Sequence, residues 1–173
     1  MEAVKILQIV GFKNSGKTTL MNQLIERAQT SGRKVSAIKH HGHSGIPELP
    51  PKGTDSTQFL ASGAASSLVY GGGLVQLHLE EPEADLEKFI RFSLLANPDL
   101  ILIEGFKGAG YPKIVLVRSQ EDWRELGALS NIQLVIVHDG VKLENTATVD
   151  AGNIEAITRF FTEWMEGEVD ESI

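Results

Sequence analysis

Between an apolar stretch, Lys5-Ile-Leu-Gln-Ile-Val10, and an amphipathic one, Thr18 to Gln29, the chain places Gly11-Phe-Lys-Asn-Ser-Gly-Lys-Thr18. Two glycines five positions apart, followed at once by lysine and threonine, match G-x-x-x-x-G-K-[ST] at every fixed position. At ordinary residue frequencies such a match arises by chance about once in 200 chains of this length. The flanks narrow the reading further. The apolar run has the character of a buried strand, and Leu20, Met21, Leu24, Ile25 and Ala28 share one face of a helix. Strand, glycine loop and helix are the setting of a phosphate-binding P-loop. Gly11 and Gly16 allow backbone conformations and close approaches that a side chain would block. The loop and helix start, Gly11, Lys13, Asn14, Ser15, Gly16, Lys17, Thr18 and Thr19, is predicted to turn its N–H groups toward phosphate oxygens. Lys17 is predicted to reach the β- and γ-phosphates and the Thr18 hydroxyl to ligate Mg²⁺.

The rest of the chain alternates strands and helices. Lys34–Lys39 reads as strand two, residues 40–54 as a long loop rich in Gly and Pro, and Asp55–Ser62 as a short helix. Residues 67–70 and 74–80 flank Gly71-Gly72-Gly73 and read as a β-hairpin. A helix over 84–96 ends at Asn97-Pro98. The uninterrupted apolar strand Leu100-Ile-Leu-Ile103 follows, then a glycine-rich loop over 105–112, and then strands over 114–117 and 134–137. A short helix over 120–126 and a last helix over 153–166 complete the order. This pattern predicts a three-layer α/β fold with a mainly parallel sheet and an antiparallel hairpin. One domain is expected over 1–166, followed by an acidic tail over 167–173.

Charge and composition exclude several classes. The net charge is −7, but Glu163, Glu166, Glu168, Asp170 and Glu171 crowd the last eleven residues, and the remainder carries only −2. No basic stripe marks a nucleic-acid binder. The chain has no cysteine, so disulfides and thiolate metal sites are excluded. With no apolar run near membrane-spanning length and no signal-peptide pattern, it is expected to be cytoplasmic.

In a parallel α/β sheet, ligands bind beyond the carboxyl ends of the strands. Asp99 precedes its strand and reads as a boundary residue. Glu104 ends the same strand and is predicted to be the carboxylate that serves Mg²⁺ or orients water. Asp55 is the second candidate for metal or catalysis, with a helix N-cap as the alternative. Lys39, His40, His41 and His43 follow strand two on the same expected face. They read as groups for anion binding, with a metal site or a solvated loop as alternatives. Lys107 and Lys113 read as possible binders of a second anion or as solvated side chains, and His78 and His138 carry no comparable signal. The base is not legible from these residues. No N/T-K-x-D follows the late strand, where His138-Asp139-Gly140-Val141-Lys142 stands instead. None of the six arginines lies in a motif loop, which argues against a kinase with an arginine-bearing lid.

Taken together, four segments resemble one family. They are Gly11–Thr19, Ile38-Lys-His-His-Gly-His43, Gly53-Thr-Asp-Ser56 with Ser62-Gly-Ala64, and Asp99-Leu-Ile-Leu-Ile-Glu-Gly-Phe-Lys107 with Pro112-Lys113. In this order they resemble the molybdopterin-guanine dinucleotide biosynthesis adapter proteins, the MobB family, over roughly residues 4 to 160. The resemblance implies a dimeric GTP-binding protein that takes Mg²⁺ and assists a molybdopterin guanylyltransferase, with molybdopterin itself a further possible partner. It implies at most a slow GTPase. It also favours Asp55 as a site residue and places Lys39, His40 and His41 on the functional face. A metallochaperone-type GTPase and a P-loop small-molecule kinase stand as the alternatives.

Overall fold

The computed structural model describes residues 4–41, 53–83, 85–138 and 140–167. The chain gathers into two compact units, one of residues 1–40 with 86–173 and one of residues 41–85. The first holds a six-stranded parallel sheet in the order β2 (Val35–Lys39), β5 (Leu100–Glu104), β1 (Lys5–Gly11), β6 (Lys113–Val117), β7 (Ile132–Val137), β8 (Val149–Asp150). β1 therefore lies inside the sheet, and the chain leaves it toward β2 on one side and returns to β6 on the other. The crevice at such a reversal is where parallel sheets bind ligands.

Alternation along the strands sorts the core. Leu7 and Ile9 of β1, Leu100 and Leu102 of β5, and Ile114 and Leu116 of β6 pack with Leu20, Met21, Leu24 and Ala28 of α1 (Lys17–Thr30) and with Ile157 and Phe161 of α5 (Ile154–Glu166). On the other face Ile101 and Ile103 pack with Ile90 of α3 (Leu86–Ser93). Val10, Val115 and Val117 pack with Leu126 of α4 (Gln120–Leu126). A β-strand shows successive side chains to opposite faces, so Glu104 falls on the α1 face with Leu100 and Leu102. No helix among the described residues is long and apolar enough to cross a membrane.

The second unit contains α2 (Asp55–Ala61) and the hairpin β3 (Ser66–Gly71) and β4 (Leu74–Leu79), which form their own two-stranded sheet. Gly71 pairs with Leu74, leaving Gly72 (φ +58°) and Gly73 (φ +83°) as the turn. Positive φ at both central residues is what a two-residue hairpin turn requires. The hairpin is apolar yet open: Tyr70 is 72% exposed and Leu74 77%.

The remaining differences from the sequence reading are local. The predicted helix over 84–96 is α-helical only to Ser93, and Leu94–Ala96 tighten into a 3₁₀ turn before Asn97 adopts φ +48°. Thr54 rather than Asp55 occupies the N-cap position of α2, with Asp55 in its first turn. Strand β8, two residues long, was too short to leave a pattern. The long loop around His43, Asp139 and the acidic tail after Gly167 lie outside the described residues.

Candidate phosphate and metal site

The loop after β1 turns through Asn14 (φ +60°) and Gly16 (φ +88°) into α1. Ser15 sits buried beneath it, and Lys17 extends back to donate to the Phe12 carbonyl oxygen at 2.7 Å. Three neighbouring groups brace this loop from strand ends. Arg118, just past β6, donates to the Lys13 carbonyl oxygen at 2.7 Å. Its guanidinium is gripped by both Asp122 oxygens, at 2.8 and 3.1 Å. These charge-assisted bonds hold the Asp122 carboxyl below the usual carboxylate range. His138, just past β7, donates from Nε2 to the Ser15 carbonyl oxygen at 3.1 Å, because a carbonyl can only accept. Lys107 lies with its ammonium 3.7 Å from the centre of the Phe12 ring.

Parallel register assembles the other half. Lys39 stands opposite Glu104 across β2 and β5, and Glu104 opposite Ile9 across β5 and β1. Glu104 is buried, and its Oε2 accepts from the Thr18 hydroxyl at 3.1 Å. Lys39 lies 3.2 Å from Oε1 of the same carboxylate. Burial, above all, holds the Lys17 ammonium below the ordinary lysine range. Glu104 opposes that shift, and the cations Lys107, Lys39 and Arg118 reinforce it. Two carboxylates, Glu104 and the Asp122 that holds Arg118, thus stand against four cationic side chains around the mouth of the loop. An entering polyanion would satisfy that surplus of positive charge.

The turn after β5 explains the Glu-Gly-Phe-Lys segment. At Gly105 (φ +95°) a Cβ would come within 2.9 Å of His40 Cβ, so glycine alone lets the β2 and β5 ends close up. Phe106 takes φ +51°, and its ring lies 4.7 Å from the His40 ring, tilted by 42°. The buried Gln8 of β1 pins the turn by donating to the carbonyl oxygens of Gly105 and Phe106, at 3.0 and 2.9 Å.

A cavity of about 190 Å³ adjoins the loop on its α5 side, lined by Ser15, Gly16, Thr19, Gln23, His138 and Ala151 among others. Whole-ligand pockets run to about 300–1,000 Å³, so it has room for one ring system and not for a whole nucleotide. The donor set beside Lys17 suits magnesium. Thr18 and Glu104 offer hard oxygens at one point, and Mg²⁺ takes one or two such protein ligands with phosphates and waters. Among the described residues no group of three or more His, Asp or Glu could hold a metal unaided.

Lys13, Asn14, Ser15, Gly16, Lys17, Thr18, Lys39, His40, Glu104 and Lys107 therefore gather around one loop in the first unit. His41 and Asp55 belong to the second unit. Lys113 does not join them, which corrects the sequence reading. It is fully buried and donates to the carbonyl oxygens of Ala109, Tyr111 and Ser130 at 2.9, 2.9 and 2.6 Å. Two of these carbonyls lie in the 105–112 loop and the third just before β7, so Lys113 ties the two segments together, and burial lowers its pKa. The reading missed Gln8, and it gave no role to Arg118 or His138. The strand-end rule that selected Glu104 would have found the last two, because each follows the last residue of a sheet strand.

The comparisons with known proteins agree with one another. The family model described as MobB, molybdopterin guanine dinucleotide synthesis protein B, matches residues 6–139. A probable molybdopterin-guanine dinucleotide biosynthesis adapter protein of Bacillus subtilis is 39% identical over 130 residues, 75% of each chain. The adapter protein of Escherichia coli is 30% identical over 167 residues, 94% of each chain. Among solved structures, a MobB homologue from Bacillus stearothermophilus superposes with a TM-score of 0.76 at 32% identity, over 94% of this chain and 98% of that one. MobB of Bacillus subtilis superposes with a TM-score of 0.75 at 31% identity, over 97% and 99%. With the family match spanning most of the chain and relatives of this identity covering it, the chain belongs to the MobB family.

Proposed function

We propose that this chain is a GTP-binding adapter that assists the attachment of GMP to molybdopterin, and is not itself the transferase. The observation that carries this reading is the convergence of Lys17, Lys39, Lys107 and Arg118 on a P-loop whose Thr18 meets a buried Glu104. Support for the adapter role and for guanine comes from the relatives, whose names place them in molybdopterin-guanine dinucleotide biosynthesis. The loop N–H groups and Lys17 bind the phosphates. Thr18 and Glu104 would hold magnesium, which would supply positive charge to offset that of the phosphates. The cavity beside His138 receives the base. Asp55 is assigned a supporting role at the metal, and His40 and His41 at the anion, on the strength of the family resemblance.

Hydrolysis is slow on this reading. Arg118 is committed to Asp122 and the Lys13 carbonyl, so it braces the loop instead of neutralising a transferring phosphate. A missing arginine finger costs about 10³–10⁵ in rate. The protein works in the cytoplasm as a homodimer that buries the apolar hairpin, since an open edge carrying Leu68, Tyr70, Leu74 and Val75 is a liability in a monomer. Light scattering is expected to give about twice 18.9 kDa, and a monomer at micromolar concentration contradicts the dimer.

The adapter role is tested in a reconstituted assay with molybdopterin, limiting guanylyltransferase and low GTP. Added protein should raise the yield of dinucleotide cofactor, and Lys17→Ala should not. Product formed without the transferase would overturn the adapter reading in favour of an enzyme.

A further inference from the structure

Lys39 does more than line the site. Its Nζ lies 3.2 Å from Oε1 and 3.3 Å from Oε2 of Glu104, and 3.3 Å from Thr18 Oγ1. These oxygens belong to the two side chains assigned above to magnesium. A metal ligated by the Thr18 hydroxyl at about 2.0–2.1 Å would compete with this ammonium for the same lone pairs and repel it. The two cations cannot share the position. The Lys39 side chain is 56% exposed and that of Glu104 9%, so the lysine can swing into solvent on its flexible stem while the carboxylate stays.

We propose that Lys39 is a built-in counter-cation of the metal site, bridging Thr18 and Glu104 when no metal is present and displaced when magnesium enters with the nucleotide. The inference rests on the nucleotide-binding reading and adds an exchange of cations to it. Register makes the device possible: β2 and β5 pair Lys39 with Glu104 across the sheet, so the ammonium rises beside the carboxylate on one face. In the metal-free protein Lys39 keeps the buried carboxylate paired and leaves the loop's field positive toward phosphates. The consequence is a nucleotide site with a muted requirement for metal. Without the ammonium, Glu104 would repel a metal-free nucleotide and attract a metal-bound one.

The test is GTP affinity by calorimetry in EDTA and in saturating Mg²⁺, for the wild type, Lys39→Met, Lys39→Gln and Lys39→Arg, with melting curves to establish folding. Paramagnetic resonance of Mn²⁺ reports metal occupancy independently of any turnover. In Lys39→Met and Lys39→Gln the ratio of the EDTA to the Mg²⁺ dissociation constant should rise by about threefold or more, the scale of one partly screened charge pair. Less Mn²⁺ should then half-saturate the GTP complex. Lys39→Arg should stay near the wild-type ratio. Equal weakening in EDTA and Mg²⁺ would make Lys39 a simple phosphate contact and overturn the exchange, as would an unchanged ratio. A folded wild type that binds GTP under neither condition would overturn the nucleotide reading itself, and this inference with it.

Discussion

Replacing Gly11 by alanine puts a Cβ 2.5 Å from Ser15 Oγ, 3.0 Å from the Leu116 carbonyl oxygen and 3.3 Å from Leu116 Cβ. Gly11 pairs with Leu116 in the β1–β6 register, so that carbonyl belongs to a buried inner strand that cannot retreat cheaply. Overpacking of this kind costs about 1–3 kcal/mol. Gly16 is the opposite case. Its nearest neighbour would be Leu116 Cδ2 at 3.8 Å, so there is room for a methyl group, but φ is +88°. Left-handed backbone costs a non-glycine residue about 1–2 kcal/mol. In a domain of this size 1 kcal/mol lowers the melting temperature by about 2–4 °C, so both variants should melt measurably lower. Ser15 separates the two causes. Its hydroxyl is buried with no hydrogen-bond partner among the described residues, so Ser15→Ala alone should be nearly neutral. It should also relieve part of the Gly11→Ala clash, giving a coupling of about 0.5 kcal/mol or more. With Gly16→Ala it should be additive. Urea unfolding of the singles and the two doubles measures this. Gly110, where an added Cβ would meet nothing within 4 Å and φ is not positive, is the neutral control. A Gly11→Ala variant as stable as Gly110→Ala, or a coupling that appears with Gly16 instead, would refute the steric account of the loop.

Arg118→Ala should weaken GTP binding by about threefold to tenfold, the scale of one ordinary net hydrogen bond lost from the loop, and calorimetry that finds no change contradicts the brace. Asp122 gives the pH dependence. Its carboxyl is depressed when folded, so its contribution is present above the unfolded value of about 3.9 and is lost as pH falls through the lower folded value. The gap in urea midpoint between wild type and Asp122→Asn should therefore hold from pH 7 to near 4 and close below it, and a gap that closes well above pH 4 denies the shift. Lys113→Met leaves three carbonyl oxygens without their donor and should cost about 2–4 kcal/mol in denaturant unfolding, whereas a solvated lysine would cost almost nothing.

What could be read from the chain was what local spacing encodes. The loop from Gly11 to Thr18 and the helix after it follow from glycine positions and one apolar face. Glu104 followed from a rule about strand ends, and the hairpin from its glycine turn. What escaped depends on pairings distant in sequence. Lys113 opens a strand and looks solvated, yet carbonyls from two separate loops converge on its ammonium. Arg118 lies 105 positions from the carbonyl it braces, and His138 lies 123 from its own. That the hairpin forms its own sheet instead of extending the parallel one is likewise a matter of which strands meet, and turn chemistry does not decide it. Lys39 was expected on the functional face, but its bridge between Thr18 and Glu104 required the β2–β5 register.

The central claim is that the loop at Gly11–Thr18 binds the phosphates of a guanine nucleotide through Lys17. Calorimetric titration of the wild type and Lys17→Ala with GTP and with ATP, in Mg²⁺, tests it most directly. The account predicts one GTP per chain, weaker ATP binding, and a loss of about tenfold or more, at least about 1.4 kcal/mol, on removing the Lys17 ammonium. A folded Lys17→Ala variant that binds GTP as tightly as the wild type would contradict it.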